Sequence, residues 1–268
     1  MLRDVLARLP GVGTWPCDEI NYIWRHGNAR YPSDEFTVDM ARPEVVRYIR
    51  TCFDKLSHRF GMQLIVEKTC ANSLRVDFVD AVLGGARYIF IRRNGIDVVG
   101  SALNRWRGRL DVSYIARKAR YVPLTDLPYY SARYLWSRVY RLVSSENRLA
   151  LWGPQLADTH ELLRKYPLEA VCAIQWKRCV DLAADALAGK PQERVIEVAY
   201  EDFVSAPTSE LTRILEFLGS SFPLEVIEDC VADVASVNVG KGRRVLVAQQ
   251  IDDIMPLMRD TMERYGYV

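Results

Sequence analysis

Residues 87–106, RYIFIRRNGIDVVGSALNRW, pass from an apolar run to a helix-patterned segment through a tight polar turn. Few folds accommodate that order. Tyr88–Ile91 reads as a strand buried on both faces, and it ends in Arg92 and Arg93. Asn94-Gly95 supplies the turn, and Ile96-Asp97 opens the helix that carries Ser101. A strand that feeds a helix this way gathers unpaired backbone N–H groups, a positive dipole end, a guanidinium and a hydroxyl around one point. Such a point suits a phosphate.

The remaining segments extend the same alternation. Leu2 to Leu9 has helical spacing and stops at Pro10-Gly11, and Gly11 to Cys17 reads as turns. A short apolar helix follows Asp18-Glu19 and ends near Gly27; residues 28–39 read as polar loop. Pro43 to Phe60 is helix-patterned with proline in its first turn. A strand at Gln63 to Glu67 leads through Lys68, Asn72 and Ser73 to a helix over Leu74 to Leu83, broken by Gly84-Gly85. Later come a helix at Ala170–Ala188, a strand at Val195–Ala199, a helix at Thr208–Leu218, a basic glycine loop at Ser236–Arg244 and a last helix at Asp252–Tyr265. The expected class is α/β, a parallel central sheet flanked by helices. Residues 1–268 read as one domain, with the aromatic-rich stretch 107–166 as a helical insertion or acceptor-side region.

Composition narrows the function classes. A net charge of +2 is too small to argue for nucleic acid, where a concentrated basic face is expected, so no nucleic-acid partner is expected. No run approaches the ~18 apolar residues of a membrane span, and the N-terminus lacks a signal-peptide core. Six scattered cysteines with no CxxC pair read as reduced core thiols in a cytoplasmic protein. Three dispersed histidines, His26, His58 and His160, read as bland, and no metal site is expected.

Five stretches, in order, resemble sulfotransferases that use 3′-phosphoadenosine-5′-phosphosulfate (PAPS), closest to the tyrosylprotein and carbohydrate branch and its bacterial relatives. IVEKTCANSLR is similar to the strand-end EKTP-type segment. ARYIFIRRNGIDVVGS is similar to the 3′-phosphate motif, with Arg93, Asp97 and Ser101 at the family's places. AIQWKRCVDLA resembles the helix with a recurring tryptophan, and VIEVAYEDFVSAPTSELTRILEFLG the VRYEDL…P…L…FLG segment. DTMERYGYV resembles the family's final helix and LGY ending. The likeness covers residues 1–35, 62–106 and 150–268 and implies a fold like that of P-loop nucleotide-binding proteins. One departure is marked. The family opens with a strand and a PRSGTT-type loop for the 5′-phosphosulfate, whereas MLRDVLARLPGVGTWPCDEI resembles the helix and turn that follow that loop. The expectation is that the strand and loop lie upstream of Met1. An upstream stop codon with no glycine-rich segment before it would refute this.

The resemblance implies roles. Arg93 and Ser101 would hold the 3′-phosphate of PAPS, Tyr200 would lie near the nucleotide base, and Lys241 and Arg243 would belong to a basic loop closing over the nucleotide. Glu19, with Asp18 as rival, would accept the proton of an attacking acceptor hydroxyl. Lys68 would face the bridging oxygen and stabilise charge on the leaving phosphate. Asp97 reads as structural, complementing the first helical turn; Trp176 reads as packing. The expected reaction is sulfuryl transfer from PAPS, without metal, to a hydroxyl on a carbohydrate, phenol, lipid or tyrosine; a homodimer is open to it. Two rival readings stand beside it. One is a non-catalytic nucleotide-binding protein that keeps only the 3′-phosphate clamp. The other is a kinase-like phosphotransferase, which the lack of a Walker lysine disfavours.

Overall fold

A computed structural model describes residues 1–107, 120–132, 135–136, 149 and 151–268. The expectation of a helical insertion at 107–166 therefore falls partly outside the described residues. Its last part is helical, at Thr159–Lys165.

The described chain runs α1 (Leu2–Leu6), β1 (Val12–Gly13), α2 (Asn21–Trp24), α3 (Pro43–Phe60), β2 (Leu64–Ile65), α4 (Val76–Leu83), β3 (Tyr88–Arg92) and α5 (Gly95–Arg107). Further along come α6 (Thr159–Lys165), α7 (Leu168–Ala188), β4 (Val195–Ala199), α8 (Tyr200–Ser205), α9 (Pro207–Phe217), α10 (Leu224–Val231), α11 (Gly242–Val245) and α12 (Ala248–Arg264). Local chemistry accounts for several boundaries. Pro43 opens α3, where a missing N–H costs nothing, and Gly61 closes it in the left-handed region at φ 62°. Asn94 caps α5, its side-chain oxygen accepting the Ile96 N–H at 3.0 Å.

The strands are parallel, as expected, but they do not form one central sheet. β1 pairs with β2 and β3 pairs with β4, giving two two-stranded sheets among the described residues. The β1–β2 ladder is only two residues long on each side, shorter than the strand expected over Gln63–Glu67. β1 itself lies within the stretch expected to be turns. Its Gly13 has no side chain to bury, so strand patterning is invisible there; pairing with β2 makes it a strand.

Helices cover both faces. Phe90 packs into a core built from α5, α7 and α12 around Trp106, Trp176 and Met258. Its neighbour Ile89 faces the opposite layer, where α1, α9 and α10 meet Phe203, Leu211 and Ile214. Val12 and Val66 pack against that same layer, so one set of helices backs both sheets. A third core gathers Trp15, Trp24, Ile49 and Phe78 from α2, α3, α4 and the turn after β1.

Candidate functional site

In each pair the parallel strands deliver their C-terminal ends to one edge, and the side chains just beyond those ends form two groups.

The first group follows β1 and β2. Arg3 on α1 donates to the Cys17 carbonyl at 2.8 Å and to the Asp18 carbonyl at 2.6 Å, fixing the turn that presents Glu19. The next residue, Ile20, donates its N–H to Thr69 Oγ1 at 3.1 Å, stitching this turn to the segment leaving β2. Thr69 in turn donates to Glu67 Oε1 at 2.5 Å, and Asn72 donates to Glu67 Oε2 at 3.0 Å. Burial raises the Glu67 pKa. Glu67 is thus held inside the loop while Lys68 extends from it, and Lys68 Nζ donates to Glu19 Oε1 at 2.8 Å. The Cys70 N–H reaches the same oxygen at 3.4 Å. Burial alone would lower the Lys68 pKa, but Cys70 and the Glu19 carboxylate raise it above the ordinary lysine value, so the group stays cationic. Of the two rival carboxylates, Glu19 is the one ion-paired with Lys68.

The second group follows β3 and β4. The Arg93 guanidinium lies 4.4 Å from the ring centroid of Tyr200, the first residue of α8. Arg93 donates to the Asn238 carbonyl and sits 3.5 Å from Asp97 Oδ2. Its Nε is buried and has no hydrogen-bond partner among the described residues, leaving one donor of the fork unspent. Trp176 does more than pack, because its indole N–H donates to the Arg93 carbonyl at 3.2 Å. Ser101 is exposed on α5. Lys241 and Arg243 are exposed, and their side chains make no hydrogen bond or ion pair among the described residues. Arg92 takes the other side of the strand, stacking on Tyr265 at 4.6 Å. The Tyr267 hydroxyl donates to Glu201 Oε2 at 3.2 Å, which docks the C-terminal tail on the start of α8.

Several features escaped the sequence. Asp97 is 3% exposed and, beyond complementing its helix turn, accepts the N–H groups of Gly240 at 2.8 Å and Gly242 at 2.6 Å. His26 is not unpaired: its Nδ1 lies 2.8 Å from Asp126 Oδ2 and its ring packs on Tyr48. Only three of the six cysteines (Cys17, Cys172 and Cys230) are buried, although all six are free thiols; Cys70 is exposed beside Lys68. A buried charge knot, Arg25–Asp34–Arg75, ties α2 to the segment before α4, with Asp34 Oδ1 2.6 Å from Arg25 and 3.4 Å from Arg75. No cluster of His, Cys, Asp or Glu suited to a metal ion occurs among the described residues.

With this geometry in place, the chain can be set beside known proteins. A solved structure described as a sulfotransferase domain from the curacin biosynthetic pathway is similar to it, with a TM-score of 0.53 and 12% identity over 100% of this chain and 93% of that one. The chain has a sulfotransferase-like fold. The Sulfotransferase family model matches residues 138–223, a span that takes in α7, β4, Trp176 and Tyr200 but none of Glu19, Lys68, Arg93, Ser101, Lys241 or Arg243. No curated protein matches the sequence. Among the described residues no helix is long and apolar enough to cross a membrane.

Proposed function

We propose that the protein is a PAPS-dependent sulfotransferase acting on an acceptor hydroxyl. One observation carries this reading: Glu19 and Lys68, 49 positions apart in sequence, meet at 2.8 Å beyond the end of a parallel strand. That pair provides a proton acceptor and a fixed cation at one place, and a direct displacement at sulfur needs both. Glu19 takes the proton of the hydroxyl as its oxygen bonds to sulfur. The bond from sulfur to the 5′-phosphate oxygen breaks, and Lys68 stabilises the electron pair left on that oxygen.

The second group fits a nucleotide phosphate. Arg93 retains a buried, unpartnered Nε–H, and Lys241 and Arg243 on the adjacent loop are exposed cations without internal partners among the described residues. Arg93 and Ser101 would bind the 3′-phosphate, Tyr200 would lie against the base, and the basic loop would close over the nucleotide. The acceptor class stays at the level of a hydroxyl compound.

The test is release of adenosine 3′,5′-bisphosphate from PAPS with phenolic, sugar and lipid alcohols as acceptors. Acceptor-dependent release that Lys68→Ala and Glu19→Gln abolish supports the reading. If the folded protein binds the bisphosphate but no acceptor produces turnover, the enzyme reading fails and a nucleotide-binding protein remains.

A further inference from the structure

Asp97 stands in the first turn of α5 and is almost fully buried, at 3% exposure. Its two oxygens do separate work. Oδ2 accepts the Gly240 N–H at 2.8 Å, and Oδ1 accepts the Gly242 N–H at 2.6 Å. Both donors belong to the 236–244 segment, more than 140 residues further along the chain, which the sequence suggested as a loop but whose last three residues begin α11. The loop lies so close to the helix that a Cβ on Gly242 would fall 2.1 Å from the Ile96 carbonyl oxygen, and one on Gly100 would fall 2.8 Å from the Gly242 Cα. Arg93 holds the same loop by the Asn238 carbonyl. Between these anchors lies Lys241, and Arg243 follows directly.

We propose that Asp97 is the positioning residue of the nucleotide site: its carboxylate, with one oxygen on each of two loop amides, seats the 236–244 loop so that Lys241 and Arg243 stand beside Arg93. This rests on reading that site as a 3′-phosphate clamp. The clamp needs a carboxylate. An asparagine offers one accepting oxygen and would turn an NH2 donor toward the second loop N–H. It also requires glycine at 242, where any side chain would lift the loop from the helix.

Two measurements test it. Amide hydrogen exchange on the unaltered protein, without nucleotide, should show Gly240 and Gly242 protected relative to the exposed amides around them; unprotected amides at both positions overturn the proposal without any variant having to fold. Calorimetry with adenosine 3′,5′-bisphosphate then compares the unaltered chain, Asp97→Asn, the double variant Lys241→Ala/Arg243→Ala, and the triple combination. Asp97→Asn should weaken binding about tenfold in the unaltered background, yet less than about twofold once Lys241 and Arg243 are gone, because it acts through them. An equal loss in both backgrounds assigns Asp97 a merely structural role and sinks the proposal. Full binding by Asp97→Asn sinks it alone and leaves the site reading standing. No binding by the unaltered folded protein overturns the site reading, and this proposal with it.

Discussion

Glu19 and Lys68 illustrate how the proposed catalytic pair is assembled from residues that are ordinary in isolation. Each is an exposed-type charged side chain, and turns braced by Arg3, Thr69 and Asn72 bring them to 2.8 Å. In the proposed reaction, replacing Lys68 by alanine removes the cation assigned to the leaving group and should lower kcat by about 10²–10³-fold. Glu19→Gln keeps the shape but not the base and should cost about 10²–10⁴-fold. Steady-state kinetics on both variants checks this, with unchanged melting temperatures showing that the fold is intact. A different residue, Asp34, governs stability. Burial alone would raise its pKa, but Arg75 and Arg25 outweigh burial and hold the carboxyl below the ordinary range. The sign follows: the stabilisation is present above the unfolded value of about 3.9 and is lost as pH falls through the lower folded value. Asp34→Ala would leave two buried guanidiniums uncompensated and should cost about 3–5 kcal/mol by denaturant titration at neutral pH.

At the scale of elements, the seat of the basic loop on α5 is the sharpest packing constraint near the site. Gly242→Ala drives a methyl group into the Ile96 backbone, where nothing can rotate away. Gly100→Ala meets the Gly242 Cα at 2.8 Å, a smaller intrusion. Both should weaken binding of the bisphosphate, Gly242→Ala more, while α5 keeps its helical circular dichroism; an unaffected Gly242→Ala would show that the loop does not need this seat. The elements also show what a sequence discloses. α3 spans the expected Pro43–Phe60 and β4 the expected Val195–Ala199, because periodicity, proline at the first turn and glycine at the end are local signals. β1 carried no such signal. Its two residues sit among glycines and prolines, and only their partner β2 defines them as a strand. Asp97 and His26 were opaque for a related reason: their partners lie 145 and 100 positions away, and nothing local announces such a contact.

At the scale of the whole molecule, the candidate site divides as the sheets divide. Glu19 and Lys68 belong to the β1–β2 pair, and Arg93 and Tyr200 to the β3–β4 pair, with one helical layer of α1, α9 and α10 behind both. Parallel pairing and strand-end placement of the site residues were legible from alternating strand and helix patterns. The split into two small sheets was not, since which strand edges meet is decided by packing rather than by local sequence. The central claim is that Arg93 anchors a nucleotide 3′-phosphate, and calorimetry with adenosine 3′,5′-bisphosphate on the unaltered chain and on Arg93→Ala tests it most directly. The account predicts one site in the unaltered protein and at least about a hundredfold loss in the variant, a difference of about 2.7 kcal/mol, with adenosine 5′-monophosphate binding weakly to both. Equal affinity of both proteins for the bisphosphate, or equal affinity of the unaltered protein for the two nucleotides, would contradict it.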